Sequence, residues 1–205
     1  MAVGGLWLAL LAAAVMLSML AASNDTLPGD GSITEWVQSR PLPGHDLSEV
    51  IRTVTGTEVV LATGAFVVLV LWLRRCRRRA VLLAAGLTLL AVAQPFLKEL
   101  VDRPRPDAAL VEVRAGYSST SFPSGHVMSG SLLYGFLLYL SLTLPVVRAG
   151  AFGFGIICAA IVGLAGPANV WLGVHWPSDV LGSWLWCSVI LVPLFIADRL
   201  GKRAP

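Results

Sequence analysis

GPANVWLGVHWPSD, residues 166–179, places His175 and Asp179 between two long apolar runs, 150–167 and 180–197. A membrane-spanning helix needs about 20 mostly apolar residues. The two runs therefore read as spanning helices and the quoted stretch as the turn between them. Polar side chains at such a turn must be solvated, paired or useful. Four further runs, roughly 3–22, 57–73, 80–97 and 127–147, have the same character. The prediction is an all-α, polytopic bundle of about six transmembrane helices, forming a single domain over residues 1–205. The second run is the weakest, and its helix is expected to start earlier, near Ile51.

Composition points the same way. Of 205 residues, 56% are hydrophobic and 13% charged, with a mean hydropathy of +0.77. A soluble domain has about 45–50% apolar and about 25% charged residues. The net charge of +3 is modest, and no nucleic-acid partner is expected. Cys76 lies in an arginine run, while Cys158 and Cys187 lie in apolar runs, so no disulfide framework is expected. Three histidines without a Cys/His cluster argue against a structural zinc site. The first run ends in Ala21-Ala22-Ser23, as signal peptides do, but lacks their basic leading region; a retained helix is expected.

Orientation follows from the arginines. RRCRRR, residues 74–79, falls between the second and third runs, and the positive-inside rule makes it cytoplasmic. Counting through the remaining runs, the inner segments hold nine cationic residues, Arg74, Arg75, Arg77, Arg78, Arg79, Arg148, Arg199, Lys202 and Arg203. The outer segments hold six, Arg40, Arg52, Lys98, Arg103, Arg105 and Arg114. Of twelve acids, only Asp198 falls inside. Both termini are then cytoplasmic. In the outer segment 23–56, SITE (32–35) matches a capping box. Leu47, Val50, Ile51 and Val54 recur with helical spacing, which predicts an amphipathic helix at the outer surface. His45 reads as a solvated loop histidine.

Three polar clusters fall on that outer side: KELVDRPRP (98–106), SFPSGHVMSG (121–130) and the quoted 166–179. Each alone has a plain explanation. Lys98, Arg103 and Arg105 could snorkel at the interface. The Arg-Pro steps could simply end a helix, and Ser124-Gly125-His126 could be a cap and a loop residue. Trp171, Trp176 and Trp184 could form an aromatic belt around His175 and Asp179. Together, on one face, they suit phosphoryl transfer. Lys98 and Arg105 offer a cation and a forked donor to phosphate oxygens. Ser124 suits a helix N-cap, Gly125 permits close backbone approach, and the free N–H groups there bind anions. His126 can protonate a leaving oxygen. His175 can attack phosphorus, with Asp179 fixing its tautomer. Pro177 lies between these last two, so a turn into the last helix would bring Asp179 back to the imidazole. No metal or other cofactor is required if cations and helix N–H groups neutralise the phosphate.

The ordered set Lys-x6-Arg-Pro, Pro-Ser-Gly-His and His-x3-Asp, spanning 98–179, resembles the type 2 phosphatidic acid phosphatase superfamily. That superfamily also holds the glucose-6-phosphatases and the vanadium haloperoxidases; the hydrophobicity here excludes the soluble haloperoxidase branch. The resemblance implies a bacterial-type lipid phosphatase in the cell membrane, with its site facing outward and a lipid phosphate or diphosphate as substrate. It implies Lys98, Arg105, Ser124, Gly125 and His126 as phosphate ligands, His126 also as general acid, His175 as a nucleophile forming phosphohistidine, and Asp179 as its partner. One position departs. The third motif normally begins Ser-Arg, whereas this chain has Ala168-Asn169. Losing one preorganised donor costs about 10²–10³ in rate. Asn169 itself and Arg103 are further candidate ligands, with Arg103 or Arg114 as possible substitutes for the missing cation. Two alternatives stay open: a degenerate relative that binds or moves lipid phosphates, and a phosphotransferase with an acceptor other than water.

Overall fold

The computed structural model describes residues 2–144 and 148–201. Lys202 and Arg203, two of the residues assigned to the inner side, lie outside the described residues, as do 145–147 at the end of the fourth run and the side chain of Arg148. Among the described residues eight helices follow one another: α1 (Ala2–Ser23), α2 (Asp30–Gln38), α3 (Gly44–Thr55), α4 (Thr57–Leu73), α5 (Arg77–Val101), α6 (Gly125–Thr143), α7 (Arg148–Trp171) and α8 (Pro177–Leu200). Among the described residues there is no strand. Five helices, α1, α5, α6, α7 and α8, are long and apolar enough to cross a membrane; α3 and α4, bent by 53° at Gly56, make a sixth span if taken together. The chain is a multi-pass membrane protein.

Three details differ from expectation. The second span does not begin as one helix near Ile51, because Gly56 takes an extended conformation (φ −55°, ψ 137°) and separates α3 from α4. The SITE stretch is not a capping box. The helix starts two residues earlier, at Asp30, whose carboxylate accepts from the Leu27 backbone N–H at 2.9 Å; Ser32 lies inside the first turn and donates to Gly29 O. In α3 the buried face is Ser48, Ile51 and Thr55, while Leu47 and Val50 are exposed. The apolar stripe is therefore split, with Ile51 packed inward and Leu47 and Val50 exposed, since at a membrane surface an exposed apolar side chain can meet lipid. His45 is exposed as expected, although it lies in the first turn of α3, tilted over Trp171.

Helix α6 is the centre of the bundle: 67% of its spanning window is buried, against 17% for α1. Leu83, Leu90, Met128, Leu132, Leu133 and Phe136 form its core with α5. Large apolar residues such as Met16, Phe66, Val92, Phe96, Leu142 and Phe152 face outward. Because lipid tails are as apolar as leucine, close packing and internal hydrogen bonds hold such helices together. Helix α1 is bound to α8 in this way, by Trp7 Nε1 donating to Val189 O and Trp186 Nε1 donating to Ser18 Oγ, each at 3.0 Å. At the arginine-rich end, buried Arg79 of α5 pairs with Asp198 of α8 at 3.2 Å and donates to Thr143 Oγ1 of α6; Tyr139 of α6 donates to Asp198 at 2.7 Å. Three helices are joined there by one polar cluster.

Candidate active site

The turn between α7 and α8 is built by a Schellman motif. Val174 N–H donates to Asn169 O and Gly173 N–H to Val170 O, the pairing that closes a helix through a left-handed residue. That residue is Gly173, at φ +67°; a Cβ there would lie 2.1 Å from Glu112 O. Two residues on comes His175, and Pro177 opens α8 at its first position. Asp179 lies in the first turn, where its carboxylate accepts the Trp176 backbone N–H at 2.8 Å and lies favourably in the helix dipole. The proline thus sets the spacing that returns Asp179 to the imidazole, with Asp179 Oδ2 3.4 Å from His175 Nδ1.

Both are completely buried, so the network around them must be closed. Asp179 Oδ2 also accepts from Ser121 Oγ at 2.5 Å, and Oδ1 accepts from Arg103 at 2.6 Å. Arg103 donates further to Asp30 at 2.8 Å, Ser178 Oγ at 2.7 Å and Asp25 O at 3.1 Å. Ser178 in turn donates to Asp30. Arg103 is therefore neither an interfacial snorkel nor a phosphate ligand in this arrangement. Its forked donors are occupied behind Asp179, and it is 1% exposed. Arg114 is also turned away, paired with Glu112 and stacked over Trp171. Trp176 is buried rather than part of an interfacial belt.

The other face of His175 meets Arg105. Arg105 Nη1 lies 3.0 Å from His175 Nε2 and donates to Val174 O at 2.6 Å, while its Nε donates to Ser119 O at 2.8 Å. A guanidinium has only donors, so Nε2 accepts. The proton of the neutral ring is then on Nδ1, directed at Asp179. Burial pulls the His175 pKa down from 6.5 to about 3, against the opposing effect of the Asp179 hydrogen bond. The ring is neutral near pH 7, with its lone pair facing the cations. Burial also lowers Arg105, to about 10, with Asp179 opposing and Arg52 adding to the fall. It remains charged.

Lys98, in the last turn of α5, donates to Thr120 O at 2.5 Å. His126, in the first turn of α6, lies within electrostatic reach of Arg52, Arg105 and Lys98. His175 shares Arg105 and Lys98 with it. Ser124 is the N-cap of α6 but makes no capping bond, and its buried Oγ has no hydrogen-bond partner among the described residues. Its backbone carbonyl is held by Ser183 Oγ of α8 at 3.1 Å. Gly125 has a reason beyond ligand approach: a Cβ there would lie 2.7 Å from Gln94 Nε2. Gln94 belongs to a polar cluster with Thr57 and Ser129 beneath the helix start.

Asn169 is fully buried, with its Nδ2 donating back to Ala165 O at 2.8 Å. Its Oδ1 has no hydrogen-bond partner among the described residues; the neutral side chain is occupied within its own helix. Sequence reasoning missed Asp30, Ser121, Ser178 and Arg52. Ser121 adjoins the Pro-Ser-Gly-His motif and was within reach of inspection. Asp30 contacts a residue 73 positions away, and no local pattern announces it.

The fold and site define a helical membrane protein with a cationic, histidine-containing centre at one end of its bundle. The chain belongs to the PAP2 superfamily, whose family model matches residues 79–200. Phosphatidylglycerophosphatase B of Bacillus subtilis (strain 168) is 41% identical over 109 residues, which is 52% of this chain and 50% of that protein. The match thus spans about half the length of that curated relative. A crystal structure described as the first transmembrane PAP2 type phosphatidylglycerolphosphate phosphatase from Bacillus subtilis aligns over 97% of both chains, with a TM-score of 0.78 and 22% identity. At that identity the likeness is one of fold.

Proposed function

We propose that this chain is a membrane phosphatase that hydrolyses a lipid phosphate or diphosphate at the outer leaflet through a phosphohistidine on His175. Phosphatidylglycerophosphate is the first substrate to test, given the names of the two similar proteins. One observation carries the proposal: Arg105 and Asp179 hold opposite nitrogens of a buried imidazole, which fixes a neutral ring with its Nε2 lone pair toward Lys98 and Arg105.

The incoming phosphate replaces the imidazole as acceptor for Arg105 and draws on Lys98, Ser124 Oγ and the first N–H groups of α6. At about 4 Å each cation contributes about 4 kcal/mol of attraction at an effective dielectric near 20. His175 Nε2 forms a bond to phosphorus as the bond to the lipid oxygen breaks, and His126 gives that oxygen its proton. Asp179 stabilises the positive imidazole that results. Water then attacks phosphorus with His126 as base, the N–P bond breaks, and inorganic phosphate leaves. Cationic side chains and helix N–H groups balance the phosphate charge, so activity is expected without added divalent metal.

The outward placement is supported by the arginines grouped at the opposite end of the bundle, on α5 and in the turn before it. The test is phosphate release from a panel of lipid phosphates by purified protein, with and without EDTA. Release that survives EDTA supports the proposal. Binding of the same lipids without release would instead identify a binding or translocating relative.

A further inference from the structure

Helix α3 is seated against the start of α6, although the three motifs lie elsewhere. Thr55 packs directly over Gly130, where a Cβ would lie 2.5 Å from Thr55 Cγ2. One turn deeper, Tyr134 of α6 donates to Val54 O at 3.1 Å. Ile51 shares a buried cluster with Val127 of α6 and Ala168 of α7. His126, Gly130 and Tyr134 are spaced by four and share one face of α6. Since Val54 and Thr55 cover Tyr134 and Gly130, the preceding turn of α3 lies level with His126. That turn carries Arg52.

Arg52 is half-buried and donates to Gly116 O at 2.7 Å. Gly116 belongs to the same loop whose Ser119 and Thr120 carbonyls hold Arg105 and Lys98. Among the described residues, Arg52, Lys98 and Arg105 have no ion pair. Three cations thus lie within electrostatic reach of His126, each held by a neutral carbonyl and none in an ion pair among the described residues. Such an arrangement suits an anion. Position 169 cannot supply a third cation, because Asn169 is neutral and turned to its own helix.

We propose that Arg52 of α3 is the third cationic ligand of the substrate phosphate, acting beside Lys98 and Arg105. The proposal rests on the phosphatase function above. It assigns part of the site to α3, outside the matched region 79–200, and makes the bend at Gly56 a determinant of phosphate geometry.

The test measures hydrolysis of phosphatidylglycerophosphate in detergent micelles, with inorganic phosphate as competitive inhibitor. Arg52→Gln keeps a donor for Gly116 O but removes the charge. It should lower kcat/KM about 10²-fold, the scale of losing one preorganised donor, and raise the phosphate inhibition constant at least several-fold. Arg52→Lys should recover to within about 10-fold of wild type. Arg40→Ala, whose guanidinium lies over Trp36 at 4.7 Å, serves as the unaffected control. Should Arg52→Gln not fold, Arg52→Cys in a chain without its native cysteines replaces it: a cationic aminoethyl adduct should restore activity, and a neutral adduct of the same length should not. A Gln variant within about threefold of wild type in both measurements overturns the proposal, as does equal rescue by the two adducts. Wild-type protein that releases no phosphate from this lipid or from any other in the panel overturns the phosphatase function, and this proposal with it.

Discussion

Each end of the bundle buries an arginine against an aspartate, yet the two ends are built for different purposes. At the arginine-rich end Arg79 pairs with Asp198 and donates to Thr143, and Tyr139 donates to Asp198, across three helices. At the histidine end the buried triad, Arg103 with Asp30 and Asp179, is only the back wall. In front of it Arg105, Lys98 and Arg52 rest on backbone carbonyls, and Ser124 Oγ has no partner among the described residues. Burying an ion pair is an uncertain source of stability, because desolvation offsets attraction. Leaving cations uncompensated beside it is worse, unless an anion arrives. The cluster at the arginine-rich end pairs its arginine with an aspartate, whereas among the described residues the three cations at the histidine end stand outside any ion pair.

The sharpest way to break the comparison is to remove the proposed nucleophile. His175→Ala should lower turnover by about 10⁴-fold or more while lipid binding, measured by equilibrium dialysis or scintillation proximity, survives. Asp179→Asn should be less severe, since it loses charge and orientation but keeps Nε2. Retention of near-wild-type rates by His175→Ala would place the chemistry elsewhere.

Next come the two arginines. Arg103→Ala takes the arginine from two buried carboxylates, Asp30 and Asp179, at a cost of about 3–5 kcal/mol, and Arg79→Ala removes the ion pair with Asp198; both should lower the melting temperature in detergent. Only Arg103→Ala should also lower kcat per folded molecule, because it releases Asp179. Equal effects on kcat at both ends would erase the distinction drawn here.

Acid provides a finer probe. Burial depresses the His175 pKa to about 3, so the folded ring takes up its proton only well below the value of 6.5 at which the unfolded ring does. Its neutral form contributes stability fully above pH 6.5, and that contribution is lost as pH falls from 6.5 toward 3. Nitrogen NMR of labelled imidazole should show the Nδ1–H tautomer of His175 unchanged between pH 7 and pH 5. An imidazolium signal by pH 5 would contradict the buried, neutral ring.

The smallest expected effect is at Asn169. Asn169→Ala removes one hydrogen bond and one unpartnered buried oxygen, so stability should change by about 1 kcal/mol or less and activity by less than about threefold. Asn169→Arg should lower activity, because it forces a fourth cation into a fully enclosed position. A clear gain would mean that the pocket still accommodates an arginine from α7.

Much of this was legible in the chain. The apolar runs located the spanning helices because lipid demands long apolar segments whatever the packing. His175, Asp179, Lys98 and Arg105 were legible because their motifs are local, and Pro177 between the histidine and aspartate already implied a turn. The support behind them was not. Asp30 and Arg103 meet only after α2 folds back over α8, and Arg103 reads as one more interfacial cation until its four partners are seen. The α3 stripe announced an amphipathic helix but not how it packs: Ile51 turns inward with the polar Ser48 and Thr55, while Leu47 and Val50 face outward. Arg52 escaped notice because its significance depends on the register of α3 against α6.

The central proposal is that the cations around the two histidines serve a phosphoryl group transferred to His175. Brief incubation of the purified protein with radiolabelled lipid phosphate, an alkaline quench that preserves phosphohistidine, and peptide mapping test it most directly. The account predicts label on His175, absent in His175→Ala and chased into inorganic phosphate by water. Sustained turnover with no label at His175, or with label on another residue, would contradict it.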